Sequence, residues 1–155
     1  MKLIKSAPTV LDAVPESVQK KAGELAESGE TYLEAIYVIK ERRENGLVRA
    51  VDVANELGLS RPSVSRGLSL LKERGYISVE LAGDIEFTKE GRALAEKIFK
   101  RHQYLTVFFK HIANVPTDIA ESDACRVEHV ISEHTMFGII EYLKIWKKLI
   151  DTIYN

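Results

Sequence analysis

Residues 51–74, VDVANELGLSRPSVSRGLSLLKER, contain the pattern that decides the fold. The first part of this stretch predicts a compact helix over Val51–Leu57. Gly58 then supplies the left-handed position that a tight turn requires. Ser60 is placed to cap a second helix, because Pro62 falls within its first turn, where a missing N–H costs nothing. We therefore predict two short helices joined by a Gly-Leu-Ser turn, the second of which runs to the end of the stretch.

The elements on either side complete a winged helix-turn-helix. Downstream, apolar and polar residues alternate over 76–81 and predict a strand, while 82–84 predicts a turn and 85–87 a returning strand. Upstream, helical spacing of apolar residues predicts a first helix over 30–44, followed by a short extended segment at 48–50. Because this order of elements presents a helix to the major groove, it is typical of DNA-binding domains.

The rest of the chain predicts further helices, so the fold class is mainly α. A long connector helix is expected over 88–112, with Thr88 as its cap and a break at 114–116. Two more helices are expected, one over 119–133 and one in the aromatic-rich segment that follows. These elements divide the chain into three parts. They are an N-terminal extension predicted to be helical (1–28), a winged helix-turn-helix domain (29–96) and a helical domain (97–155).

Composition sets limits on both class and location. The chain has 155 residues, of which 45% are hydrophobic and 29% charged, as expected for a globular protein with one or two small domains. The net charge is −1, so any binding of nucleic acid requires a local basic face. A single cysteine, the lack of an apolar run of about 20 residues and the lack of a secretory signal predict a cytoplasmic protein that does not span a membrane.

The second helix of the pair carries a local basic face. Between Ser60 and Arg74 there are four basic residues and one acidic residue. Hydroxyl and guanidinium groups suit phosphates and the O6/N7 edge of guanine. The residues predicted to contact DNA are Ser60, Arg61, Pro62, Ser63, Ser65 and Arg66.

A second group of residues has the spacing of metal ligands. Cys125, Glu128 and His129 stand at positions i, i+3 and i+4, which share one face of a helix. Thiolate, carboxylate and imidazole together suit Fe(II), Mn(II), Co(II) or Zn(II) better than magnesium or calcium. His102 on the connector and Glu34 on the first helix are plausible further ligands.

Other functions find less support in the sequence. His129 and His134 are five residues apart and diverge around a helix, and neither H-E-x-x-H nor H-x-x-E-H occurs. Since a P-loop, a dinucleotide fingerprint and a nucleophile elbow are also missing, we do not expect an enzyme. The alternatives left open are a winged-helix regulator that senses a small organic ligand through Phe108, Phe109 and Trp146, and a protein-interaction module.

Four segments resemble the diphtheria-toxin-repressor and manganese-transport-regulator family. They are ETYLEAIY at 30–37, SRPSVS at 60–65, TKEG at 88–91 and ACRVEHVIS at 124–132. The resemblance covers about residues 29–145. It implies a homodimer with a winged-helix domain and a helical dimerisation domain, which binds a palindromic DNA operator when loaded with Fe(II) or Mn(II) and represses metal-uptake genes.

The same resemblance implies which residues bind the metal. The implied ligands are Glu34, His102, Cys125, Glu128 and His129. Glu121 stands where the iron branch has a histidine of an ancillary site, and Thr31 stands where the two branches have methionine or aspartate. Glu34 matches a ligand of the manganese branch, whereas Cys125 favours iron, so either metal is possible. Iron is slightly favoured because thiolate is the softer donor. We also expect this protein to lack the SH3-like third domain of some iron-branch members.

Overall fold

The computed structural model describes residues 27–154, which contain six helices and one two-stranded sheet. The elements are α1 Glu27–Arg42, α2 Ala50–Leu57, α3 Arg61–Glu73, β1 Ile77–Val79, β2 Ile85–Phe87, α4 Lys89–His111, α5 Thr117–Val127 and α6 Glu133–Tyr154. The mainly α fold with a winged helix-turn-helix is confirmed. Helix α1 begins three residues earlier than the spacing predicted, and the helix predicted before it lies almost entirely outside the described residues.

The described residues divide into two compact units, 27–100 and 101–154. In the first unit the core is apolar side chains from α1, α2, α3 and both strands. Its fully buried members include Leu33, Ile36, Val53, Val64 and Leu71. The apolar stripe of the second helix, Val64, Leu68 and Leu71, is buried in this core.

Local signals set the turn between α2 and α3. Gly58 ends α2 with φ of 64°, the left-handed conformation that glycine adopts without strain. The backbone N–H of Ser63 donates to Ser60 Oγ over 3.3 Å, so Ser60 caps α3 as predicted. Pro62 occupies the first turn of α3, where it disturbs no helical hydrogen bond.

The wing is an antiparallel hairpin in which Ile77 pairs with Phe87 and Val79 with Ile85. The first strand is shorter than the alternating pattern suggested. The hairpin is tied to the segment before α2, because the Ile85 N–H donates to the Val48 carbonyl over 2.7 Å. This bond fixes the base of the wing beside the helix-turn-helix.

Thr88 joins the wing to α4. Its hydroxyl donates to the Gly75 carbonyl over 2.7 Å and accepts from the Gly91 N–H over 3.0 Å. A Cβ at Gly91 would collide with the Tyr76 carbonyl group, lying 2.6 Å from its carbon atom. The residue pattern Thr-x-x-Gly is therefore needed for the close approach of α4 to the wing.

The second unit has a smaller core. Leu105, Ala124 and Met136 are buried there, each from a different helix, and Phe109 packs against them. Phe108 meets Phe109 and Tyr142 edge to face, with ring centroids 6.1 and 6.5 Å apart. Within residues 27–154, none of the helices combines the length and the apolar character that crossing a membrane would require.

Candidate DNA-binding helix and metal centre

Helix α3 presents its N-terminal half to solvent. Five of the six residues predicted to contact DNA are exposed and Ser63 is half-buried. Ser60 Oγ lies 2.9 Å from Ser63 Oγ, and Arg66 Nη2 lies 3.4 Å from the same Ser63 oxygen. The buried stripe on the other side of the helix holds this polar face outward. The arrangement offers hydroxyl and guanidinium groups at a helix N-terminus, where the helix dipole also favours phosphate.

The predicted metal ligands of the second unit centre on Glu128. Its side chain is fully buried, an unusual location for a carboxylate. His102 Nδ1 lies 3.0 Å from Glu128 Oε2, and His129 Nε2 lies 3.2 Å from Glu128 Oε1. The structure thus brings together three of the residues that the sequence singled out, although His102 is 26 positions away from Glu128 in the chain.

The Glu128 carboxylate is incompletely satisfied. Among the described residues, Oε1 has no hydrogen-bond donor, because His129 approaches it without hydrogen-bond geometry. A buried carboxylate oxygen without a donor costs free energy unless a positive charge compensates it. One carboxylate and two imidazoles form a donor set suited to a first-row divalent cation. The residues present therefore fit a transition-metal ion.

The other predicted ligands differ in how exposed their side chains are. Cys125 is exposed on the last turns of α5, and Glu121 is exposed one turn before it. Glu34 is half-buried on α1, in the first unit, with Thr31 one turn before it.

The helix that carries the cluster is shorter than predicted. We expected it to run to about Glu133, but α5 ends at Val127 and Glu128 is its C-cap, with φ and ψ still helical at −55° and −32°. His129 therefore lies in the turn that follows and not on the helix. Cys125 and Glu128 still keep the geometry of one helical turn.

Two residues that the sequence patterns did not single out shape this turn. Arg101 is buried, and its guanidinium donates to the Ile131 carbonyl over 2.8 Å and to Glu133 over 3.2 Å. Ser132 caps α6 by accepting the Thr135 N–H over 3.2 Å. The serine cap was visible in the sequence as Ser-Glu-His-Thr before an apolar run. No sequence signal marked Arg101, since only the fold brings it to the turn.

Both parts of the chain match models of one family. Residues 24–83 match the iron-dependent repressor N-terminal DNA-binding domain. Residues 88–148 match the iron-dependent repressor metal-binding and dimerisation domain. The chain belongs to the iron-dependent repressor family. The resemblance drawn from the four sequence segments is confirmed, and α3 and the Glu128 cluster fall in the DNA-binding and metal-binding parts of this family, respectively.

Individual members of the iron-dependent repressor family give the extent of the likeness. The iron-dependent repressor IdeR of Mycobacterium tuberculosis is 32% identical over 122 residues, which are 77% of this chain and 51% of that protein. An HTH-type transcriptional regulator of Methanocaldococcus jannaschii is 30% identical over 123 residues, which are 79% of this chain and 94% of that protein. The chain thus spans about half the length of the mycobacterial repressor.

A solved structure supports the same family fold. It is a manganese-dependent transcriptional repressor in complex with manganese, with a TM-score of 0.69 and 25% identity. The likeness covers 75% of this chain and 52% of that one.

Proposed function

We propose that this protein is a cytoplasmic repressor that binds a palindromic DNA operator as a homodimer when it holds Fe(II) or Mn(II), and so controls genes of metal homeostasis. The observation that carries the proposal is the buried Glu128 carboxylate between two imidazoles, in the part of the chain that matches a metal-binding domain. The family supports a regulator and not an enzyme.

DNA binding is assigned to the exposed half of α3. Arg61 and Arg66 have the length and charge to contact phosphates or guanine edges, and Ser60, Ser63 and Ser65 suit phosphate oxygens. Pro62 fixes the start of the helix between them. Because the whole chain carries a net charge of −1, specific binding depends on this local face.

Metal binding is assigned to Glu128, His129 and His102, with Cys125 and Glu34 as further ligands on the strength of the sequence resemblance. When bound, the ion would supply the positive charge that the buried Glu128 carboxylate lacks. His102 and His129 would hold it through imidazole nitrogens, and a thiolate at Cys125 would favour iron slightly. Glu121 is proposed for an ancillary site.

The proposed dependence of DNA binding on metal follows from where these residues lie in the chain. Glu34 belongs to α1, whose neighbour in the fold is α3, whereas Glu128 and His129 belong to the part that matches the dimerisation domain. Ligands in both parts would order the two recognition helices of a dimer at a spacing of about 34–36 Å or a multiple of it. A dimer that is already ordered loses less entropy on binding its operator.

Selection of DNA duplexes from a random pool tests this proposal and requires no known operator. The full chain is used to enrich duplexes in Mn(II), in anaerobic Fe(II) and in EDTA. We expect a palindromic sequence to be enriched with either metal and not in EDTA. Enrichment of the same sequence to the same degree in EDTA would exclude a metal-dependent repressor.

A matched pair of variants locates the ligands. Glu128→Gln removes the buried charge at the cluster, whereas Glu141→Gln makes the same change in a surface ion pair with Lys144. Isothermal titration of both variants with Mn(II) is expected to show lost binding for the first and wild-type binding for the second. Equal binding by the two would place the metal elsewhere.

A further inference from the structure

The contact between Tyr32 and α3 is unusually close. Tyr32 is buried on α1, and its hydroxyl donates to the Ser63 carbonyl over 3.3 Å. Its ring covers Gly67 in the middle of α3. A Cβ at Gly67 would fall 2.6 Å from Tyr32 Cδ2 and 2.7 Å from Cζ, and closer still to Cε2. Only glycine leaves room for the ring there.

Gly67 is out of place by helix propensity. Glycine is among the least favourable residues in a helix interior, and it adopts no positive φ at this position. Its use in α3 therefore needs a packing reason, and the Tyr32 ring supplies one. Because the two groups are already in contact, a small shift of α1 toward α3 must displace the ring or the helix.

Tyr32 lies on the side of α1 away from a proposed ligand. Tyr32 and Glu34 are two residues apart, which separates their side chains by about 200° around a helix. Thr31 and Glu34 are three apart and share a face to within about 60°. A displacement of α1 that follows ligation through Glu34 is therefore carried to the opposite side of the same helix, where the Tyr32 ring meets α3.

From this geometry we infer that Tyr32 is a positioning residue. When α1 moves, the Tyr32 ring presses on α3 at Gly67 and so moves α3, the helix proposed to contact DNA. The hydroxyl bond to Ser63 fixes the ring at the N-terminal half of α3, beside the residues proposed to contact DNA. The inference rests on the proposed metal-dependent function, because α1 is moved by ligation only if Glu34 is a ligand.

The test measures a coupling factor, the operator Kd in EDTA divided by the Kd in Mn(II), for a duplex selected with the wild-type chain. For Tyr32→Leu, which removes the ring and the hydroxyl, we expect this factor to fall by at least about fivefold. Gly67→Ala, which forces the ring away, should lower it similarly. Phe87→Leu is the control, since it also removes a half-buried ring from the same core but lies on β2. It should keep the wild-type coupling factor.

The double variant separates positioning from stability. In Tyr32→Leu with Gly67→Ala the ring that the new methyl group meets is gone, so the midpoint of urea unfolding should recover relative to Gly67→Ala alone. The coupling factor should stay low. Recovery of both quantities together would show that Tyr32 acts only through stability and would overturn the inference.

The outcomes also separate this inference from the function on which it rests. A wild-type coupling factor near 1 refutes the proposed function itself. A large wild-type factor that Tyr32→Leu leaves unchanged refutes only the role of Tyr32. If Tyr32→Leu does not fold, the coupling factor is measured for Gly67→Ala and for the milder Tyr32→Phe instead. A wild-type coupling factor in both variants would overturn the inference.

Discussion

Removal of the buried charge at Glu128 should separate metal binding from folding. In Glu128→Gln the amide keeps the shape of the side chain but loses the negative charge that lies 3.0 and 3.2 Å from two imidazole nitrogens. Metal affinity should fall by at least about 100-fold, since loss of a residue that merely supports a ligand already costs about 10–100-fold. Unfolding without metal should change by less than about 1 kcal/mol, because a costly buried charge is also removed.

The expected shift in stability follows from mass action. At a free Mn(II) concentration about 100 times the wild-type Kd, binding adds about 2.7 kcal/mol to the free energy of unfolding. A variant whose Kd is about 100-fold higher gains only about 0.4 kcal/mol at the same concentration. Urea unfolding of the full chain with Mn(II) and with EDTA measures both increments.

Two results would refute this reasoning. The first is that Mn(II) raises the free energy of unfolding of Glu128→Gln by as much as it raises that of the wild type. The second is a loss of about 3 kcal/mol or more without metal, which would mean that Glu128 and His102 form a structural ion pair and not a metal site. Glu141→Gln, at an exposed pair, should behave as the wild type in both conditions.

Three further predictions concern the first unit. Arg66→Ala should weaken binding to the selected duplex and should reduce the slope of log K against log salt concentration by about 1, because a phosphate contact is lost. An unchanged slope in a salt titration would show that Arg66 does not contact a phosphate. Gly91→Ala should destabilise the chain by about 1–3 kcal/mol in urea, because the new methyl group meets the backbone of Tyr76, and wild-type stability would contradict the described approach of α4 to the wing. Asp52 accepts hydrogen bonds from Arg43 Nη2 over 2.7 Å and from a backbone N–H, and the bond from Arg43 holds the pKa of this carboxyl below its usual value. The stability that this carboxylate adds is therefore present above its pKa in the unfolded chain, about 4, and is lost as the pH falls through its lower pKa in the folded chain. Asp52→Asn should be about 1 kcal/mol less stable than the wild type at pH 7 and should lose less stability on acidification. Parallel pH profiles of stability for the two proteins would contradict this.

Local chemistry explains why the helix-turn-helix was predictable. Gly58, Ser60 and Thr88 each act through hydrogen bonds or dihedral angles within a few residues, and the structure shows each in its predicted role. Such signals do not depend on distant parts of the chain. The two wing strands were placed correctly for the same reason, although alternation overestimated the length of the first.

The end of α5 was not predictable from local signals. The sequence between Val127 and α6 contains neither glycine nor proline, so no helix-breaking residue marks the end of α5, although Ser132 marks the start of α6. The end instead coincides with long-range contacts, namely burial of Glu128 against His102 and donation from Arg101 to the Ile131 carbonyl. The partners in these two contacts are 26 and 30 positions apart in the chain.

The candidate site was predictable in its chemistry and only partly in its geometry. Residue types and spacing identified Glu128 and His129, and His102 was added as a plausible partner. The exposure of Cys125 did not follow from its position one turn from a fully buried glutamate. Helix periodicity places residues on a face but does not say how deeply each part of that face is buried.

Operator binding as a function of free metal tests the central claim most directly. Fluorescence anisotropy of the selected duplex is recorded against the full chain at fixed concentration while free Mn(II), and separately anaerobic Fe(II), is raised from EDTA-buffered zero. We predict that binding rises with either metal for the wild type and stays at the EDTA level for Glu128→Gln at the same concentrations. Full binding in EDTA, or the same metal response in the variant, would contradict the account.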